Sequence, residues 1–145
     1  MSQPATATNA FLSFLFKAMA PPIFERIFRK FTAGIQTWLW DYVVMRNQFS
    51  LAGGKQLATD ISEFWNIFAR YVGDPEVLTK KLKAACILLT LEDGNEGRTG
   101  FKEVVQALFE DNEHARGMLE ELNLAKSIST NEARAVLQRR VEAWS

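Results

Sequence analysis

Apolar residues recur along this chain at the three- and four-residue spacing of a helix, and no stretch alternates with the period of a strand. The clearest run is Ile61, Phe64, Trp65, Phe68, Tyr71 and Val72, which falls at i, i+3, i+4, i+7, i+10 and i+11 and lines one face of a helix. A chain patterned this way must bury its core between helices. With 145 residues, 48% of them hydrophobic and eleven of them Phe, it has the material for one domain. The expected fold is therefore all-α, an antiparallel bundle of six or seven helices joined by short connections.

Punctuation along the sequence divides the bundle. Residues 1–8 are small and polar and read as a flexible tail, with a single helical domain over 9–145. A first helix is expected from about Asn9 to Met19, where Phe11, Leu12, Phe14, Leu15, Phe16 and Met19 cover nearly every side. A helix apolar all round needs cover all round, so Phe14 and Phe16 are candidate contact residues. Pro21 and Pro22 stop this helix and fit the first turn of the next, which runs to about Arg46.

That second helix carries Ile23, Ile27, Phe31, Ile35, Trp38, Leu39 and Tyr42 along one side, the stripe by which such a helix packs. At about 100° per residue Trp40 projects from nearly the opposite side, with Val44 one turn on. Either neighbouring helices sandwich the end of this helix, or Trp40 and Val44 form an exposed anchor for a partner. After a connector at Asn47 to Ser50 comes the helix of the Trp65 run, which Gly73 ends. Asp74 and Pro75 read as the cap and first residue of another, carrying Leu78, Leu82, Ala85, Cys86 and Leu89. Glu92 to Gly100 is a polar, glycine-rich loop suited to mobility. Beyond it, Phe101, Val104, Val105 and Leu108 mark one helix, and Ala115, Met118, Leu119 and Leu122 a shorter one. Ser129 and Glu132 form a capping box that opens the last helix, with Val136, Leu137, Val141 and Trp144.

The residues that could carry chemistry do not assemble into a site at the level of sequence. Zinc needs several ligands at set spacing, and the chain has one His and one Cys. His114 lies in a charged stretch, unlike a haem ligand in an apolar pocket. Cys86 lies among apolar neighbours without a base or cation beside it, and reads as buried and inert. Gly94, Gly97 and Gly100 precede no Lys-Ser or Lys-Thr pair, and Gly53-Gly54-Lys55 lacks the first glycine of a phosphate loop. A calcium loop started at Asp93 would put Arg98 where glycine belongs. No metal, cofactor or catalytic residue is expected. Lys80, Lys81 and Lys83 form a small basic cluster that could meet an acidic partner or lipid headgroups, and Glu110, Asp111, Glu113, Glu120 and Glu121 an acidic one that could meet a basic partner; both read first as solvated helix faces.

Seventeen basic residues balance seventeen acidic ones, so no overall field draws nucleic acid. The apolar stretch Ala10 to Ala20 is interrupted by Lys17 and too short to cross a bilayer, and no basic residue precedes it as in a secretory signal. A single Cys suits a reducing compartment, and the expected location is the cytoplasm.

Three stretches together resemble the C-terminal domain of the RINT/Tip family, subunits of the NRZ or Dsl vesicle-tethering complex at the endoplasmic reticulum. In Trp38 to Asp60 the similar positions are Val43, Val44, Asn47, Phe49, Gly53, Gln56, Leu57 and Asp60. Leu82 to Leu91 is similar to the family's aliphatic helix that closes on Leu-x-Leu. Leu119 to Glu142 carries a Leu-Glu-Glu-Leu turn, a Ser-capped helix and an Ala-Arg…Leu…Arg-Arg ending. The resemblance implies a non-catalytic interaction domain that helps capture Golgi-derived vesicles in retrograde transport. It would bind endoplasmic-reticulum SNAREs and other tether subunits, peripherally on that membrane. The family's N-terminal partner-docking helix has no counterpart here, so the chain looks like the last domain alone, with the upstream domain of the same subunit missing. A generic helical adaptor or cargo-binding domain is the alternative.

Overall fold

The computed structural model describes residues 3–71, 79–92 and 99–141. Among these, seven α-helices and one π-helical segment form a bundle, and the only strand-like feature is an isolated bridge between Phe49 and Arg140. The helices are α1 (Gln3–Ala18), α2 (Pro21–Trp38), α3 (Leu51–Phe68), α4 (Lys80–Leu89), α5 (Phe101–Glu110), α6 (Asn112–Glu121) and α7 (Thr130–Leu137), with the π segment Leu39–Val44 continuing α2. The expected helix start at residues 74–78, the loop at 93–98 and Trp144 lie outside the described residues.

Helix α1 starts six residues before the expected Asn9, so the small polar stretch expected as a tail is helical from Gln3. Pro4 is tolerated in a first turn, and Ala5 and Ala7 are strong helix formers. Asn9 sits inside the helix, and its Oδ1 accepts a hydrogen bond from the Tyr71 hydroxyl at 2.9 Å. That bond ties α1 to the end of α3. The capping box expected at Ser129 and Glu132 closes reciprocally on α7, and the structure adds a cap at the head of α3, where Ser50 Oγ accepts from Gly53 N.

The core gathers Ile61, Trp65 and Phe68 of α3, Leu82, Ala85, Cys86 and Leu89 of α4, Val104 and Leu108 of α5, Leu119 of α6, and Val136 and Leu137 of α7. Aromatic rings of α1, α2 and α3 continue it, with Phe28 edge-on to Phe68 at 5.1 Å and Phe16 edge-on to Phe24 at 5.3 Å.

The C-terminal arginines lock the bundle by capping three other elements. Each helix end leaves carbonyls without partners inside the helix, and a cation there also meets the negative end of the helix dipole. Arg134 Nε donates to Leu108 O near the end of α5 at 2.6 Å, and Arg139 Nη1 to Met45 O just past the π segment at 3.0 Å. Arg140 is buried; its Nη1 donates to Leu89 O and Leu91 O at 3.2 and 2.8 Å, and its guanidinium lies over the Phe101 ring. Leu89 O has a second close neighbour. A Cβ on Gly54 would come within 2.3 Å of it, so α3 approaches the end of α4 as closely as it does only because Gly54 has no side chain.

Candidate functional site

Helix α2 is apolar over an arc about twice as wide as the bundle covers. It turns Phe24, Phe28 and Thr32 into the core. Ile23, Ile27, Phe31, Trp38 and Tyr42, five of the seven residues read from the sequence as the packing stripe, face outward instead, with Ile23 51% and Trp38 55% exposed. Ile35 and Leu39 lie between, partly buried against the core. Periodicity located the apolar arc, but its outer half is only partly covered: the Phe31 ring reaches Phe68 of α3 at 6.1 Å, while Ile23, Ile27, Trp38 and Tyr42 remain about half exposed. Gly34 lies in the middle of this row, and a Cβ placed there would meet nothing within 4 Å.

At the end of the row three side chains stack. Trp38 and Tyr42 are nearly parallel with ring centroids 5.9 Å apart, and the Arg46 guanidinium lies 4.2 Å from the Tyr42 centroid. They are four residues apart, neighbours on a helix face, and the stack holds planar groups in place on an exposed surface.

The anchor reading of Trp40 and Val44 is corrected by the same geometry. Trp40 is 7% exposed and Val44 fully buried. Met45 N donates to Trp40 O at 3.0 Å, an i+5 bond that widens the turn, so each residue advances less around the axis. The Trp40 and Val44 side chains of this segment are buried, Trp40 beside Lys81 of α4. There Lys81 Nζ sits 4.1 Å from the Trp40 ring centroid and also pairs with Glu132 Oε2 at 2.7 Å. The expected basic cluster is thereby divided: Lys80 and Lys83 are exposed on α4, whereas Lys81 fastens the π segment to α7. Nothing in the amino-acid order signals the π turn.

On α1, Phe11 and Phe14 are exposed, Phe14 the more so at 68%, while Leu12 is buried. Phe16 is half-committed: its ring packs on Phe24 and Tyr71 although much of it meets solvent.

The shifted ionisations all have structural causes. His114 is drawn above its ordinary pKa by its side-chain hydrogen bond with Asp111 (2.8 Å), and Asp111 is lowered first by the backbone N–H of His114, which it caps at 2.7 Å. Glu110, Asp111 and His114 present ligand atoms close together, but all three are exposed and the Asp111–His114 contacts belong to the cap of α6. For Glu132 burial pushes upward, yet hydrogen bonds from Lys81 and Ser129 leave it below its ordinary value. Burial raises Cys86 to about 11.

The RINT-1/TIP-1 family model matches residues 1–140. The chain belongs to the RINT-1/TIP-1 family. Within the family, the protein transport protein tip20 of Schizosaccharomyces pombe is 31% identical over 112 residues, covering 76% of this chain. The chain spans about 15% of that relative's length. No solved structure matches the chain. The family resemblance seen in the sequence rested on positions whose roles are now visible: Arg134, Arg139 and Arg140 as caps and Val44 and Leu82 as core. Among the described residues no helix is long and apolar enough to cross a membrane.

Proposed function

We propose that this chain is a non-catalytic interaction domain of a vesicle-tethering subunit that acts in transport from the Golgi back to the endoplasmic reticulum. In this reading it is held at the cytoplasmic side of the endoplasmic-reticulum membrane by binding resident SNAREs and other tether subunits. Family membership and the protein-transport relative support the class of function. The observation that carries the reading is the outward apolar row of α2. Large exposed apolar surfaces rimmed by polar residues mark interaction sites, and Ile23, Ile27, Phe31, Trp38 and Tyr42 form one along a rigid helix.

The test is capture of purified SNARE cytoplasmic domains and purified tether subunits by the chain and by its Ile27→Asp/Phe31→Asp variant. The variant should keep a cooperative circular dichroism melting transition, lowered by the loss of the Phe31 ring's packing on Phe68, and capture should be lost. Capture that survives in a folded variant would move the contact away from α2. Failure of every SNARE and tether subunit to bind the unaltered chain would favour an adaptor unrelated to tethering.

A further inference from the structure

We propose that the outer face of α2 and the π segment receives one acidic amphipathic helix from a partner, lying along α2 with its closest approach at Gly34. This rests on the reading of that face as the partner surface and adds the chemistry of what occupies it. The row from Ile23 to Tyr42 is about 30 Å long at 1.5 Å per residue, the length of a helix of about 20 residues. It runs as one stripe along α2 into the π segment, with Gly34 between its two halves, and an apolar stripe of this kind can seat another helix. Helices pack 8–10 Å apart according to the side chains between them, and Gly34 leaves open space at the ridge's centre. A flat or irregular partner would not use that gap; a second helix would.

Charge selects the kind of helix. Between Pro21 and Arg46 the chain places Arg26, Arg29, Lys30 and Arg46 against Glu25 and Asp41. Arg29 is already neutralised by Glu25 at 3.0 Å. Arg26 and Lys30 are exposed, and neither makes an ion pair with the described residues. Lys30 lies about 75° and Arg26 about 115° round the helix from the row's mean direction, on the side away from Phe24 and Phe28. An occupant flanked by carboxylates on that side gains from both; one flanked by lysines is repelled. Rim charges of this kind discriminate between partners more than they tighten binding.

The experiment uses two designed 20-residue helical peptides with the same Leu/Ile stripe, one flanked by Glu and one by Lys. Their binding to the chain is read by fluorescence anisotropy at low salt. The glutamate peptide should bind at least about tenfold more tightly, the size expected when two rim charges act together. Gly34→Leu, which fills the central gap, should abolish binding while the helical spectrum is retained. Arg26→Glu/Lys30→Glu should reverse the preference between the peptides. Equal affinity for both peptides, or full binding by the Gly34→Leu variant, would overturn the proposal. So would light scattering that shows a stable dimer closed over Gly34. Binding to phosphatidylserine vesicles that outcompetes the glutamate peptide would assign the face to a membrane surface instead. If Ile27→Asp/Phe31→Asp abolishes capture of tether subunits but the peptides are not distinguished, the face stands and only its occupant is wrong. If that variant still captures them, the face itself is wrong.

Discussion

Gly54→Ala isolates the contact on which the packing of α3 against α4 depends. The added Cβ would lie 2.3 Å from Leu89 O and 3.1 Å from Leu89 C, against an ordinary contact distance of 3.4–4 Å. The obstacle is backbone, so no rotamer change relieves it, and the helices must part locally by about 1 Å. Overpacking a filled core costs about 1–3 kcal/mol, and a rigid carbonyl puts this site at the upper end. Alanine returns about 1 kcal/mol of helix propensity. The same movement disturbs the bond from Arg140 to Leu89 O, a charge-assisted hydrogen bond. The net loss should be about 2 kcal/mol, a fall of roughly 4–8 °C in melting temperature for a domain of this size. Gly34→Ala is the control: the same substitution in a helix with open space around it should stabilise by up to about 1 kcal/mol. Because Gly54 and Arg140 meet at one carbonyl, Gly54→Ala and Arg140→Met should be clearly non-additive. Urea denaturation of the two singles and the double measures this. A Gly54→Ala protein as stable as the unaltered chain, or strictly additive losses, would refute the reasoning.

Three further outcomes follow from individual side chains. Trp40→Ala should lose about 3–5 kcal/mol in urea denaturation through lost burial and a cavity, and should impair binding only by unfolding; a normal melting curve would return Trp40 to the surface. Thr32 is fully buried with a hydroxyl that has no hydrogen-bond partner among the described residues, so Thr32→Val should stabilise by about 1 kcal/mol; destabilisation would reveal a partner for that hydroxyl. Cys86, buried and raised to about 11, should resist iodoacetamide at pH 8 in the folded chain and react readily in urea; fast labelling of the folded chain would show that α4 opens locally.

The helices themselves were legible because their signals are local. The run Ile61, Phe64, Trp65 and Phe68 needs only its own spacing to declare a helix and a face, and Ile61, Trp65 and Phe68 are buried. Ser129 and Glu132 announce their capping box from three residues apart. What depends on neighbours was not legible. The order of residues in α2 shows a wide apolar arc but not which half of it another helix covers, so the row from Ile23 to Tyr42 read as core and proved to be surface. Trp40 stayed open between a sandwiched and an exposed reading, because the residue order of α2 does not show the neighbours that bury it in the π segment. Gly53 drew attention as part of a motif, yet Gly54 bears the close approach, which only the position of Leu89 O reveals. The terminal arginines read as a family ending and not as caps, since their acceptors lie 26, 49, 51 and 94 residues away.

Hydroxyl-radical footprinting read by mass spectrometry tests the central claim most directly, because this chain carries buried and exposed tryptophans side by side. In the isolated chain Trp38 and Tyr42 should oxidise rapidly, while Trp40, two residues away, and Trp65 stay protected. On addition of a binding tether subunit or SNARE domain, Trp38, Tyr42 and Phe31 should become protected, with Trp40 and Trp65 unchanged. Protection of Trp38 in the isolated monomer, or undiminished oxidation of Trp38 in the complex, would contradict the assignment of the outer face of α2 as the contact surface.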